Sequence, residues 1–261
     1  MFYWKEVYKE IALKIVKYKN NHSELLLIIK KMESNGLKVI SIKDQTPKNN
    51  VIKLNDIDPF TFFSSFNRGI TNENRYKILV FLKEYLKLKS SFPDDRDFKA
   101  IPVMTNFKSW FFAYAYERNK NDINELWELF EKALNKSDIN TIFNKVIIHK
   151  GIKSNITSGL YWIDPNNYLS LDDSTATFLK NNGIDIKYSN YDGWLRIMND
   201  VKNKFPNKTF SEIMYNAWLD SHNNKEKHIN KFFLNAIYYG PPGTGKTWCA
   251  KNISEKIVKE M

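Results

Sequence analysis

The sequence predicts an α+β protein. A mostly helical region spans residues 1–222 and a polar linker 223–230. Residues 231–261 then supply the first strand, phosphate-binding loop and helix of an incomplete nucleotide-binding α/β domain. Three observations carry this. Apolar side chains recur three and four residues apart through most of the first 220 positions, the period of an amphipathic helix. Two stretches, "LKVISI" and "TSGLYWIDPNNYLSLDD", read instead as extended segments beside turn residues. Finally, "NAIYYGPPGTGKTW" sets a glycine-rich loop between an apolar strand-like run and a helix. The first 222 residues are long enough for two subdomains, divided near residue 100.

Trp4, Val7, Ile11, Ile15 and Tyr18 form one face of a first helix. A second helix is expected from Ser23, as its N-cap, to a stop at Gly36. "LKVISI" then forms a short strand and "TPKNN" a turn. Asp58 caps, and Pro59 opens, a short helix that Gly69 ends in the left-handed conformation. Thr71 caps a longer helix with Ile78, Leu79, Leu82, Tyr85 and Leu86 as its buried stripe. "IPVMTNFKSWFFAYAYERN" is dense in aromatics and compatible with helix or strand.

"NDINELWELFEKALN" is a helix with Asp122 and Glu125 in capping-box positions. "TSGLYWIDPNNYLSLDD" is read as a strand, a Pro-Asn turn and a second extended piece. "DGWLRIMNDVKNKF" and "TFSEIMYNAWLDS" are helices, the latter opened by a Thr209–Glu212 capping box. "HNNKEKHIN" is the linker, and "KFFLNAIYYG" the strand that enters the loop.

A hydrophobic fraction of 43% and an aromatic fraction of 15% supply a well-filled core. The net charge of +11 favours anionic partners, nucleic acid before a membrane surface. A general richness in Lys, Asn and Ile would supply part of that charge without any such role. Cys249 is the sole cysteine, so no intrachain disulfide forms and a reducing compartment is expected. The most apolar short run, Leu25 to Ile29, falls far below the roughly 20 residues of a membrane span. Glu6 and Glu10 interrupt the N-terminal segment, unlike a signal peptide. A cytoplasmic protein without membrane partners is expected.

Gly240, Gly245, Lys246 and Thr247 satisfy the G-x-x-x-x-G-K-[ST] pattern. Gly240, Pro241, Pro242, Gly243, Thr244 and Gly245 would wrap phosphates with inward-turned N–H groups, and Trp248 adjoins them. Lys246 would reach the β- and γ-phosphates, and the Thr247 hydroxyl would meet Mg²⁺. The expected cofactor is therefore ATP or GTP with Mg²⁺. Fourteen residues follow Thr247, too few for the acidic Mg²⁺ partner and the remaining sheet. The expectation is a chain cut short after the loop, with weak nucleotide binding, no catalytic residues of its own and no hydrolysis.

The segment "YYGPPGTGKT" resembles the Walker A motif of AAA+ ATPases, in the branch that holds McrB-type restriction NTPases and dynein-related proteins. "DPFTFFSSFNRGITNENRYKIL" and "TSGLYWIDPNNYLSLDD" are similar to segments of N-terminal regions in McrB-like proteins. The resemblance implies an N-terminal region that recognises DNA, often modified, and an AAA+ motor that forms a hexameric ring. It also implies a McrC-like nuclease subunit as partner. Hydrolysis of GTP or ATP would then be coupled to DNA restriction. No Walker B or nucleotide-specificity motif has a counterpart here, so the choice of nucleotide stays open. The alternative is a MoxR- or dynein-related remodelling ATPase with a protein-binding N-terminal region.

For DNA contact, arginine is sparse beside lysine, and Arg68 and Arg75 flank one proposed turn. Their planar forks could grip phosphate or a base edge, or could tie two helices together, the plainer alternative. Lys108 and Trp110 sit together in the aromatic segment. Trp110, Tyr114, Tyr161 or Trp162 could stack a flipped base; plain core is the ordinary role of such rings. The four histidines show no metal-ligand spacing, and no metal site beyond Thr247 and its nucleotide-bound Mg²⁺ is expected.

Overall fold

The computed structural model describes residues 2–92, 98–106, 109–152, 155–229 and 250, with side chains through 222 and at 250. Ten α-helices are formed by these residues: α1 (Trp4–Ile15), α2 (Ser23–Ser34), α3 (Pro59–Ser64), α4 (Asn72–Leu86), α5 (Asp122–Leu134), α6 (Asn140–Val146), α7 (Asn155–Ile163), α8 (Asp173–Asn181), α9 (Tyr191–Lys204) and α10 (Phe210–Ile229). A 3-10 turn, Val16–Tyr18, follows α1. Strands β1 (Lys43–Gln45) and β2 (Val51–Lys53) pair antiparallel, with Lys43 opposite Lys53 and Gln45 opposite Val51. The chain divides into two compact units, Met1–Trp218 and Leu219–Met261. In the second, the end of α10 and a helical Ala250 are described.

The predicted α+β class is therefore corrected. The described residues are mostly helical, and their one sheet has two strands of three residues each. Strand, phosphate loop and helix over 231–261 lie outside the described residues, apart from Ala250. Helix α10 runs on through the segment read as a linker, to Ile229.

Local capping explains the helix starts. The Asp58 carboxylate accepts from the N–H groups of Phe60 and Thr61, with Pro59 at the first helical position. Thr71 accepts from the Asn74 N–H. Thr209 and Glu212 bond reciprocally, Thr209 N–H to Glu212 Oε2 at 2.7 Å and Glu212 N–H to Thr209 Oγ1 at 3.3 Å. Gly36, at φ +75°, closes α2: its N–H reaches Glu33 O, and Leu37 N–H reaches Met32 O.

Four expectations fail. "TSGLYWI" is helix α7, not a strand; every residue from Ile156 to Ile163 is buried, so no polar face marks the helical period. "LKVISI" forms no strand, and pairing begins at Lys43. Gly69 does not end α3, which stops at Ser64. The chain beyond it is held by Arg75 Nε–H to Phe66 O (2.7 Å) and Met104 N–H to Asn67 O (2.8 Å). Ser23 is the first helical residue of α2, and His22 precedes it.

The core of the first unit is aromatic. Trp4, Trp127, Trp162, Trp194 and a run of phenylalanines on α3 are fully buried. Helix α3 packs against α2, α5 and α7, and α1 against α4 and α7. Gly159 permits the α3–α7 approach: a Cβ there would lie 2.7 Å from Phe60 Cδ1 and 2.9 Å from Phe111 Cε1.

Candidate functional site

The segment 109–125 organises the polar surface of the first unit. Its start is anchored to α3, where Phe111 N–H donates to Thr61 Oγ1 at 2.8 Å and the Ser64 hydroxyl donates to Ser109 O. Its middle is anchored to the hairpin. The buried Asp44 carboxylate accepts from Ala115 N–H (2.9 Å) and from Arg118 Nη1 (2.7 Å). Arg118 also donates to Ala113 O, and its guanidinium lies 5.1 Å from the centre of the Phe112 ring. The loop is thus held at several points, and rings on its outer side are presented without unfolding it.

Two of those rings, Tyr114 and Tyr116, are exposed, and Trp110 packs partly against the core. Trp110 is half-buried and donates its indole N–H to Ser41 O at 3.1 Å. Tyr114 sits edge-on to it at 5.8 Å, and Tyr116 lies nearly parallel to Tyr114, at 15° and 6.1 Å. Tyr114 and Tyr116 are 38% and 43% exposed, enough to offer a π-face to a ligand.

Beside this segment opens a cleft of about 780 Å³, lined among others by Lys19, His22, Asp56, Arg118, Lys120 and Asn124. His22 is stacked on Trp127 at 4.9 Å and 12°. Its Nδ1 lies 2.7 Å from Asp56 Oδ1 and its Nε2 2.7 Å from Lys19 O. Both ring nitrogens therefore face oxygen atoms. Lys19 is paired with Glu131. The cleft is polar, ordered and built for hydrogen bonding.

A third group has no signature in the sequence. Asp122, Glu125 and His149 bring three potential metal-ligand atoms within 4.8 Å of one another. His149 Nε2 is 2.7 Å from Glu125 Oε2 and 3.6 Å from Asp122 Oδ1. The predicted Asp122–Glu125 capping box is not formed. Asn121 is the cap residue, Asp122 accepts from Asn119 N–H, and Glu125 turns to the histidine. The acids are legible as a helix start, but nothing in the sequence links them to His149, 24 residues beyond Glu125. The group ties the start of α5 to the turn after α6, and its donors suit a divalent cation.

The other predicted site residues scatter. Arg75 is buried, with Nε on Phe66 O, Nη1 on Asn72 and the Phe98 ring 5.2 Å away; burial lowers its pKa. It ties a turn to a helix and offers no fork to DNA. Arg68 is half-buried, with Nη2 on Val39 O at 2.6 Å, and burial lowers its pKa too. Trp162 is fully buried, donates to Pro102 O at 3.0 Å and meets Phe111 edge-on; Tyr161 is buried as well. Neither can stack a base. Lys108 and the loop Gly240, Pro241, Pro242, Gly243, Thr244, Gly245, Lys246, Thr247, Trp248 lie outside the described residues. Among the described residues no helix is long and apolar enough to cross a membrane.

Fold and site together define a helical, aromatic-cored domain with a polar cleft and, on the segment that lines one side of it, two exposed tyrosines. The chain belongs to the family described as "Domain of unknown function (DUF8425)", which it matches over residues 4–220. That span covers the helical domain and stops before the glycine-rich loop. No curated protein and no solved structure matches the chain.

Proposed function

We propose that this chain is the DNA-recognition region of a McrB-like AAA+ NTPase, joined to the nucleotide loop of its motor. The observation that carries the reading is "GPPGTGKT" at Gly240–Thr247, following a helical domain in a chain of net charge +11. In this reading Lys246 and Thr247 hold ATP or GTP with Mg²⁺, and the protein acts in the cytoplasm. A hexameric ring and a McrC-like nuclease subunit complete the restriction machine. DNA contact falls on Trp110, Tyr114 and Tyr116 beside the cleft, because Arg75 and Trp162 are committed to the interior. Stacking on exposed rings contributes roughly 1–3 kcal/mol per base.

The test is titration of labelled DNA, duplex and single-stranded, modified and unmodified, at two salt concentrations. Binding that weakens steeply with salt supports the reading. A Tyr114→Ala/Tyr116→Ala variant that folds normally and binds at least tenfold more weakly supports the stacking surface. No binding at low salt overturns the DNA reading in favour of a remodelling ATPase with a protein-binding N-terminal region.

A further inference from the structure

We infer that Lys30, Lys43 and Lys53 form the surface on which the phosphate backbone of a nucleic acid lies, an inference that rests on the DNA reading above. Lys43 and Lys53 are direct cross-strand partners, so their side chains leave the same face of the hairpin. Like charges placed directly opposite one another repel. Lys30, on α2, brings a third ammonium to the same place. Side-chain interaction with Lys53, and then its charge, lower the Lys30 pKa from the ordinary lysine value.

Among the described residues no carboxylate pairs with any of the three, whereas Lys19, Lys77, Lys132 and Lys150 each have one. A solvated lysine face spreads its charges apart. This one sets two of them directly opposite on the hairpin with a third from α2, an arrangement that a bound anion relieves. The strand that carries Lys43 is joined to the aromatic loop through Ser41. Ser41 accepts the Trp110 indole N–H through its carbonyl, and the Lys43 N–H through its hydroxyl at 3.3 Å.

The experiment compares the full chain with its K30Q/K43Q/K53Q variant and with a K9Q/K180Q/K187Q control of equal charge loss. Association with a labelled duplex is followed against salt, and the melting temperature against added tripolyphosphate. The expected result is a log–log salt slope shallower by roughly 0.9 for each phosphate that the first variant no longer neutralises, with a near-parental slope in the control. An unchanged slope in the first variant overturns this inference and leaves the DNA reading standing. A parent that binds no DNA overturns both. A parent stabilised by tripolyphosphate through these lysines, but binding no DNA, assigns the surface to small phosphates and also overturns the backbone reading.

Discussion

Asp44 and Arg118, 74 residues apart in sequence, meet at 2.7 Å beneath the aromatic loop. The side chains are 2% and 12% exposed, so neither charge is well solvated on its own. Asp44 carries two functions in one carboxylate: it pairs with Arg118 and accepts from the Ala115 N–H. Removing it leaves a buried guanidinium and an orphaned amide. Asp44→Ala should cost about 3–5 kcal/mol, the usual loss when one member of a buried pair is deleted. Urea denaturation measures this. A loss below about 1 kcal/mol would mean that the contacts to α3 and the Trp110–Ser41 bond hold the loop without Asp44.

Gly159→Ala should destabilise the protein although alanine favours helix. The propensity gain is about 1 kcal/mol. Against it stands a Cβ placed 2.7 Å from Phe60 and 2.9 Å from Phe111, both fully buried rings with little room to move. Overpacking of this kind costs roughly 1–3 kcal/mol or more. A lowered melting temperature is expected, and a raised one would show that α3 and α7 can part at no cost.

Stability should fall between pH 4 and pH 7 through Asp58. Burial pushes its carboxyl up from 3.8 to about 6, against the opposing hydrogen bonds from Thr61 and Phe60. One carboxyl oxygen, Oδ2, has no partner. The folded state therefore holds the proton more tightly than the unfolded chain. The stabilisation is fully present below the unfolded value and is lost as pH rises through about 6. A rise of this size corresponds to about 3 kcal/mol. Asp58→Asn keeps an oxygen for the cap and removes the titration. Denaturation curves at several pH values should show the variant flatter than the parent over this range.

Trp162→Ala and Trp110→Ala should separate core from surface. The first removes a fully buried indole and its bond to Pro102 O, for a loss of about 3–5 kcal/mol. The second removes a half-buried ring and one exposed hydrogen bond, and should leave a folded protein with weaker DNA binding. Circular dichroism and DNA titration on the same two samples check both statements.

Lys246→Ala should abolish whatever binding of ATP or GTP with Mg²⁺ the chain shows, since this side chain meets the β- and γ-phosphates in such loops. Isothermal titration with each nucleotide measures it. Equal binding by variant and parent would remove the loop from the function.

The sequence by itself determined where many helices begin and end, and it carried the nucleotide-loop pattern. Asp58–Pro59, Thr71, Thr209–Glu212 and Gly36 act through hydrogen bonds to residues within a few positions, so their information is local. Only the tertiary structure decided what lies beyond that reach. Helix α7 lacks a polar face because neighbours cover it on all sides, and a segment buried all round has no period to read. Glu125 left its expected capping role because the fold brought His149 to it. Trp110 and Trp162 are alike as sequence, yet one edges a cleft-side loop and the other fills the core. The same holds for Arg75, whose fork is turned inward by a carbonyl nine residues away and a ring 23 residues away. Side-chain type sets what a residue can bond, and the packing of distant segments sets which of those bonds is within reach.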